Sequence, residues 1–116
     1  MEHRSQRETW EDYSACWAET DAGKRGARFA HCLSPECTYL DPRAKLDGYD
    51  GLSAYIAELQ KNVPGVRFVV TDFKEHHGRS LASWDMLDGK GAVLSRGASF
   101  GLYAPDGRLV QMNGFY

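Results

Sequence analysis

The sequence predicts an α+β fold in which three helices pack on a curved antiparallel sheet, a cone-shaped half-barrel that encloses a pocket. Before Gly65 the apolar residues recur at helical spacing, and after it they alternate as in strands. The four later segments are joined by short turns, and consecutive strands with short connections pair antiparallel. Helices followed by strands is the order typical of an α+β domain.

Three segments of the first half have the pattern of amphipathic helices. The first is predicted over residues 5–22 and the second over residues 24–33, where a Ser-Pro pair stops it. The third is predicted over residues 51–61, with Asp50 as its N-cap. Its apolar stripe has the i, i+3, i+4, i+7 spacing of one helix face and consists of Leu52, Tyr55, Ile56 and Leu59.

The remaining segments have the composition of strands and turns. A short β-rich segment over residues 37–40 ends at Asp41-Pro42, and residues 43–50 are predicted to form a polar loop. Four longer strands follow, separated by short turns rich in Gly, Asp and Pro. These strands are predicted over residues 66–75, 80–87, 92–103 and 108–116.

The pattern of large and small residues on the later strands indicates a cavity. Alternation predicts that Ala98 and Phe100 face inward on one strand, and that Met112 and Gly114 do so on the last. Small residues beside Phe100, Met112 and Trp84 are typical of a cavity lining, because close-packed cores leave few gaps.

The composition limits the class of protein. A chain of 116 residues suits one domain, predicted here over residues 1–116. Its 14 Lys and Arg against 16 Asp and Glu give a net charge of −2 without a basic cluster, so we expect no nucleic-acid partner. No apolar run approaches the ~18 residues of a membrane span, and the first residues are too polar for a signal peptide. We therefore expect a soluble, cytoplasmic protein that does not bind membranes.

The three cysteines lack the spacing of a zinc site or of a disulfide scaffold. Cys16, Cys32 and Cys37 are odd in number, and no pair of them has the Cys-x-x-Cys spacing. We interpret them as reduced cysteines that serve as small apolar residues, and we expect no metal site.

Several motifs occur in order along nearly the whole chain. Two predicted helices precede a short strand that ends in Asp-Pro. After this strand come, in order, a helix led by glycine, a Pro-Gly pair and a four-strand meander. This order is similar to that of the nuclear transport factor two-like superfamily, and more narrowly of its SnoaL-like polyketide cyclase and ketosteroid isomerase branch. The residues that carry the resemblance are Tyr39-Leu40-Asp41-Pro42, Gly48 to Ile56, Val63-Pro64-Gly65, Trp84, Gly97, Asp106-Gly107-Arg108 and Gly114-Phe115.

The resemblance implies roles for several residues of the pocket. In ketosteroid isomerases the Asp of the corresponding Asp-Pro pair is the proton-shuttling base, which implies that role for Asp41. The family places an oxyanion-binding tyrosine on the first helix, a position that falls on Trp17, with Tyr13 one turn earlier on the same face. The family's second oxyanion donor, a protonated Asp, falls on Ala98 and is therefore missing here.

Two further residues are candidates with a simpler interpretation beside the functional one. His77 lies in a predicted turn, and related cyclases use a pocket histidine. Arg43 follows the Asp-Pro pair and could hold an anionic or carbonyl group at the mouth. Both would also suit a solvated loop, as Asp41 would suit a turn and Tyr13 and Trp17 a core.

The leading hypothesis is a cofactor-independent enzyme, an isomerase, a polyketide cyclase or a dehydratase-like lyase. It would transfer a proton on a small apolar carbonyl compound, with Trp84, Phe100, Met112 and Ala98 in the pocket wall. The alternative is a non-catalytic small-molecule-binding or assembly module of the same fold, which the missing second acid favours. We also expect a homodimer, because the outer face of such a sheet is left exposed.

Overall fold

The computed structural model describes residues 4–116 and contains three helices and six strands. The helices are α1 (Gln6–Cys16), α2 (Ala22–Cys32) and α3 (Gly48–Asn62). The strands are β1 (Leu33–Asp41), β2 (Ala44–Asp47), β3 (Arg67–His76), β4 (Arg79–Leu87), β5 (Val93–Tyr103) and β6 (Leu109–Phe115).

The six strands form one curved, open sheet in the order β2-β1-β6-β5-β4-β3. The predicted meander is confirmed, because β3, β4, β5 and β6 pair antiparallel with their neighbours in chain order. The pair β1 and β6 is parallel, so the sheet is mixed. The α+β class with three helices against a curved sheet is confirmed.

The segment that follows Asp41 differs from the prediction of a loop over residues 43–50. Instead, β2 folds back on β1 after a two-residue turn, with Asp41 opposite Ala44. β2 is a short edge strand with exposed polar side chains, which is why its composition is that of a loop. Helix α3 begins earlier than predicted, so Asp50 lies in its first turn rather than at its N-cap. A carboxylate there is stabilised by the positive end of the helix dipole.

The first helix has a capped beginning and an early end. Ser5 and Glu8 form a capping box, in which the Ser5 Oγ accepts from the Glu8 N–H at 3.0 Å and a Glu8 carboxylate oxygen accepts from the Ser5 N–H at 3.2 Å. The helix ends at Cys16 rather than near residue 22, and Asp21 caps α2 through the Lys24 N–H. The break allows α1 and α2 to pack against each other beside the sheet.

The core lies between the helices and the inner face of the sheet. Its fully buried members include Phe29 on α2, Leu52 and Ile56 on α3, and Leu109 and Met112 on β6. The three cysteines are free and buried in the same core.

A buried arginine fixes the position of α3. Arg25 is 1% exposed, and its guanidinium donates to the Glu19 carbonyl, to the carbonyl and hydroxyl of Ser53 and to the Gln60 side-chain oxygen, at 2.8–3.2 Å. These acceptors lie on α3 and on the connection between α1 and α2. A buried cation destabilises the fold unless it is fully hydrogen-bonded. The fold therefore requires that α3 and the connection between α1 and α2 both stay in contact with Arg25.

Replacing this arginine is expected to destabilise the fold. Arg25→Met keeps the length of the side chain but leaves several buried acceptors without a donor, so the free energy of unfolding should fall by about 3 kcal/mol. Urea denaturation measures the change. Arg28→Met is the matched control on the same helix, since Arg28 is 43% exposed and pairs with Asp12 at the surface, and it should cost less than about 0.5 kcal/mol. Equal losses in the two variants would contradict the role of Arg25.

Candidate active site

A cavity of about 550 Å³ lies between α1, α3 and the inner face of the sheet. Helix α1 lines it with residues 10, 13, 14 and 17, and α3 lines it with residues 55, 58, 59 and 62. Each helix thus presents one stripe with i, i+3, i+4, i+7 spacing. The apolar stripe predicted on α3 began at Leu52 and was interpreted as a core contact. The stripe that lines the cavity begins three residues later, at Tyr55.

Aromatic rings at steep angles to each other form the walls of this cavity. Phe68 stands between Trp84 and Trp17, with ring centroids 5.2 Å and 5.4 Å away and interplanar angles of 82° and 70°. Trp17 meets Tyr55 in the same way, at 6.2 Å and 85°. Edge-to-face contacts of this kind are favourable, so the rings hold one another and the apolar wall is formed before any ligand binds.

Two residues of β5 determine where the Trp84 side chain lies: Ser99 binds its indole, and Gly97 leaves room for the ring. Its indole N–H donates to the Ser99 hydroxyl oxygen at 3.0 Å. Gly97 lies opposite it on β5, where a Cβ atom would come within 2.6 Å of the Trp84 ring. Only glycine therefore allows the indole to lie flat against β5.

From residue 95 onward, the face of β5 that lines the cavity carries the odd-numbered residues. Ser99 lines it, and Gly97 and Gly101 lie under the rings of Trp84 and Trp10. Because side chains alternate along a strand, Ala98 and Phe100 lie on the opposite, outer face, contrary to the prediction. The prediction failed because it assigned the inner face to the larger apolar residues, whereas the rings of other strands and helices require glycine there. Met112 faces inward as predicted, but it is 1% exposed and packs in the core rather than on the cavity wall.

Asp41 lines the cavity at the end of β1, and its carboxylate accepts three hydrogen bonds. The hydroxyls of Tyr39 and Tyr55 both donate to its Oδ2, each at 2.7 Å. The Arg43 backbone N–H donates to its Oδ1 at 2.8 Å. The sequence left open whether Asp41 stabilises a turn or lies in the pocket. In the structure Oδ1 bonds the turn backbone, and Oδ2 bonds the two phenols of the pocket.

The two phenols on Asp41 are functional candidates that the sequence reasoning missed. Tyr39 and Asp41 are two residues apart on one strand, so they share a face, and this spacing could have indicated their contact. Tyr55 was visible only as a member of an apolar stripe. No sequence pattern connects Tyr55 to Asp41, because their contact depends on how α3 packs against β1.

Burial keeps these phenols protonated. It raises the pKa of Tyr39 and of Tyr55 well above the ordinary value of 10.0, and the neighbouring Asp41 carboxylate raises both further. Tyr116, which also lines the cavity, has a pKa raised by burial and then by Asp41. Asp41 is therefore surrounded by groups that can donate a hydrogen bond at neutral pH.

The other predicted residues divide between the cavity and the surface. Tyr13 and Trp17 line the cavity and are 4% and 7% exposed, with ring centroids 6.5 Å apart. Arg43 also lines it, with an exposed side chain. His77 lies in the exposed turn between β3 and β4, where its Nδ1 is 3.2 Å from that of His76, and the structure does not bring it to the cavity.

Two other kinds of structural feature are absent from residues 4–116. Within residues 4–116, no group of three or more His, Cys, Asp and Glu side chains is arranged to hold a metal ion. In the same range, no helix has both the length and the apolar character that crossing a bilayer requires.

Alkaline pH is expected to destabilise the protein through its tyrosines. Burial is the main cause that raises the pKa of all six, and it raises that of Tyr103 to about 12. Above pH 10 the unfolded chain loses phenol protons that the folded chain keeps, so the free energy of unfolding falls as pH rises. Each protected phenol contributes at most about 1.4 kcal/mol per pH unit, and none of this loss occurs below pH 10.

Urea unfolding on both sides of pH 10, with tyrosinate absorbance recorded in parallel, measures this effect. Tyr103→Phe should remove part of the fall between pH 10 and 12, because it removes one protected phenol. Tyrosinate absorbance that develops below pH 10 in the folded protein would contradict the prediction.

The family follows from a match over most of the chain. The model of the SnoaL-like domain family matches residues 10–112. This chain belongs to the SnoaL-like domain family. The predicted resemblance is thereby confirmed, and the family's fold is one that binds small molecules. No curated protein matches the chain.

Solved structures share the fold over nearly the whole chain. A candidate isomerase of the SnoaL-like family from Agrobacterium tumefaciens is 24% identical, with a TM-score of 0.87 and 95% of each chain covered. A candidate SnoaL-like polyketide cyclase from Jannaschia sp. CCS1 is 14% identical, with a TM-score of 0.72 and coverage of 99% of this chain and 90% of the other. A protein from Catenulispora acidiphila with a ketosteroid isomerase-like fold, solved in complex with trimethylamine, is 13% identical, with a TM-score of 0.76 and coverage of 97% of this chain and 87% of the other. At these identities the similarity establishes the fold.

Proposed function

We propose that this SnoaL-like protein is a cofactor-independent enzyme that transfers a proton next to the carbonyl group of a small apolar molecule, with Asp41 as the base. The observation that carries the proposal is the Asp41 carboxylate, which lines an aromatic cavity and lies 2.7 Å from phenol hydroxyls. A base that acts beside a carbonyl needs such donors, because the carbonyl oxygen becomes negative as the proton leaves.

The proposed step conserves atoms and charge. The C–H bond next to the carbonyl breaks, and its proton goes to Asp41. The electron pair of that bond forms a carbon–carbon double bond, and the charge moves to the carbonyl oxygen, which accepts a hydrogen bond from the cavity. Return of the proton to a different carbon of the conjugated enolate gives an isomer. Attack of the enolate carbon on a second carbonyl, whose oxygen then takes the proton from Asp41, gives a cyclised product.

The remaining cavity residues suit binding of such a molecule. Trp84 and the other rings form an apolar wall, and Arg43 at the lining can meet a carbonyl or anionic group. Ser99, rather than its neighbour Ala98, lines the cavity from β5 with a polar group. Its hydroxyl accepts from Trp84 and so retains a proton to donate. The family resemblance had placed the second oxyanion donor at Ala98, which is the neighbour of Ser99 on the strand.

The second candidate is a binding module without catalysis. It is favoured by the hydrogen bond from the Arg43 N–H to Asp41 Oδ1, which is the ordinary role of an Asp in a turn. The two candidates differ in one measurable property, which is whether a bound carbonyl compound exchanges hydrogen.

Hydrogen exchange on apolar ketones tests the proposal without knowledge of the natural substrate. The protein should accelerate the exchange of the hydrogens next to the carbonyl of 2-tetralone in D₂O, measured by proton NMR. Asp41→Asn removes the proton acceptor and should lower the rate about 100-fold or more. Asp85→Asn is the matched control, since Asp85 pairs with the mostly exposed Arg96 at 3.3 Å rather than lining the cavity, and it should leave the rate unchanged.

The possible results separate the two candidates. Exchange at the background rate despite binding of the ketone would support the binding module. Exchange that persists in Asp41→Asn would mean that another group is the base.

We further propose that the protein is a homodimer that acts in the cytoplasm. Leu40, Leu81 and Phe115 are 37%, 47% and 64% exposed, and Leu81 is paired with the outward-facing Phe100. An exposed apolar sheet face of this kind is typical of an interface between copies. Three reduced, buried cysteines suit a reducing compartment.

A charge on this outer face should separate the subunits. Sedimentation equilibrium is expected to give twice the chain mass of 13.0 kDa for the unchanged protein and a single chain mass for Leu81→Glu, because burial of an unpaired carboxylate is unfavourable. Ala57→Glu, on the exposed side of α3, is the control and should remain dimeric. A monomer before any substitution would overturn the homodimer.

A further inference from the structure

Both acceptor sites of Asp41 Oδ2 are occupied in the structure. A carboxylate oxygen has two lone pairs in its plane, and the Tyr39 and Tyr55 hydroxyls use both. The other oxygen, Oδ1, accepts from the Arg43 backbone N–H and keeps its second lone pair. A base needs a free lone pair on the atom that takes the proton, so Oδ2, the oxygen that the phenols contact, can act only after one of its two donors moves.

We infer that Tyr55 is the donor that moves, and that it transfers its hydrogen bond from Asp41 to the carbonyl oxygen of the bound molecule. This inference rests on the proposed function and assigns a second catalytic residue to it. One displacement then does two things, because it stabilises the charge on the carbonyl oxygen and frees a lone pair of Oδ2.

The positions of the two phenols distinguish their roles. Both line the cavity and pack against Trp17. Tyr39 is 8% exposed and lies two residues from Asp41 on the same strand. Tyr55 is half-buried and comes from α3, so its hydroxyl is held to Asp41 by the hydrogen bond rather than by a shared strand. Tyr39 is therefore a positioning residue, which keeps its hydrogen bond to Asp41 throughout the reaction.

The distances suit a ligand that lies alongside Tyr55 and Asp41 and contacts both. A carbonyl oxygen and the neighbouring carbon of a ketone are about 2.4 Å apart, as their bond lengths require. The Tyr55 hydroxyl and Asp41 Oδ2 are 2.7 Å apart before the ligand enters. A carbonyl that accepts from Tyr55 therefore presents its neighbouring C–H bond to Oδ2, and the proton passes from carbon to Oδ2 as the charge passes to oxygen.

The same geometry favours Tyr55 over the two donors that the family resemblance implies. The side-chain hydroxyls that donate to the Asp41 carboxylate at 2.7 Å are those of Tyr39 and Tyr55, and Tyr116 lies beside the same carboxylate. Tyr13 and Trp17 line the cavity from α1, and a carbonyl held by either one is not brought to the base by the same contact.

Infrared spectroscopy of a bound ketone tests the assignment. The carbonyl stretch of 2-tetralone labelled with ¹³C at the carbonyl should move to lower frequency on binding, because its oxygen accepts a hydrogen bond. Tyr55→Phe should abolish this shift and lower the rate of hydrogen exchange about 100-fold, as loss of an oxyanion donor does. Tyr103→Phe is the control, since Tyr103 is a buried phenol outside the cavity lining and bonds Ser80 at 2.8 Å. It should retain both the shift and the rate.

A second substitution tests the positioning role. Tyr39→Phe should retain the infrared shift and the affinity for the ketone but lower the rate at which the bound ketone exchanges hydrogen, because the carboxylate loses a donor that orients it. A purely structural role for Tyr39 would change the affinity and the rate together.

An experiment on the unsubstituted protein covers the case in which Tyr55→Phe does not fold. With ¹³Cζ-labelled tyrosine, addition of 2-tetralone should shift the Tyr55 resonance and leave that of Tyr39 in place. Movement of Tyr39 alone, or of neither resonance in a ketone-bound protein, would overturn the inference.

Failure of the inference and failure of the proposed function give different results. Exchange that depends on Asp41, together with an infrared shift that survives Tyr55→Phe or is lost in Tyr13→Phe or Trp17→Phe, overturns the role of Tyr55 and keeps that of Asp41. A shift lost in Tyr55→Phe without any exchange keeps Tyr55 as the carbonyl donor and overturns catalysis. A ketone that does not bind overturns both.

Discussion

The carboxylate of Asp41 connects the elements on which the cavity depends. It binds the turn into β2 through one oxygen, and through the other it binds a phenol from its own strand and a phenol from α3. The network of the buried Arg25 holds α3 from its other side. Because α3 is fixed at both places, the residues that it presents to the cavity have a defined distance from the sheet, as a reacting group requires.

Much of the architecture could be predicted from the sequence because it is encoded locally. The helix stripes, the strand alternation and the turns between the last four strands each depend on neighbours in the chain. The same local signals placed Asp41 at the end of a strand and Tyr13 and Trp17 on the inner face of α1. The edge strand β2 was missed for a local reason too, since its exposed polar residues have the composition of a loop.

The parts that were wrong or absent depend on contacts between distant segments. The inner face of β5 was misassigned because Gly97 and Gly101 face inward, and their role is visible only once the rings of Trp84 and Trp10 are placed over them. The contact of Tyr55 with Asp41 likewise requires the packing of α3 on β1. Periodicity indicates which face is buried, but it does not say which two buried groups meet.

The chemistry of Asp41 favours a function over a purely structural role. A turn needs only Oδ1, which accepts from the Arg43 N–H, and an amide such as that of Asn could supply the same acceptor. Oδ2 instead lies beside aromatic walls, where the removal of a carboxylate oxygen from water is unfavourable unless donors offset it. Two protonated phenols on the cavity lining supply that offset at rest, and the half-buried one from α3 is the one for which a ligand can compete. While the Tyr55 hydroxyl bonds Oδ2, that oxygen does not accept a proton. A carbonyl compound that binds and accepts the Tyr55 hydrogen bond releases Oδ2, so proton transfer is confined to the bound ligand.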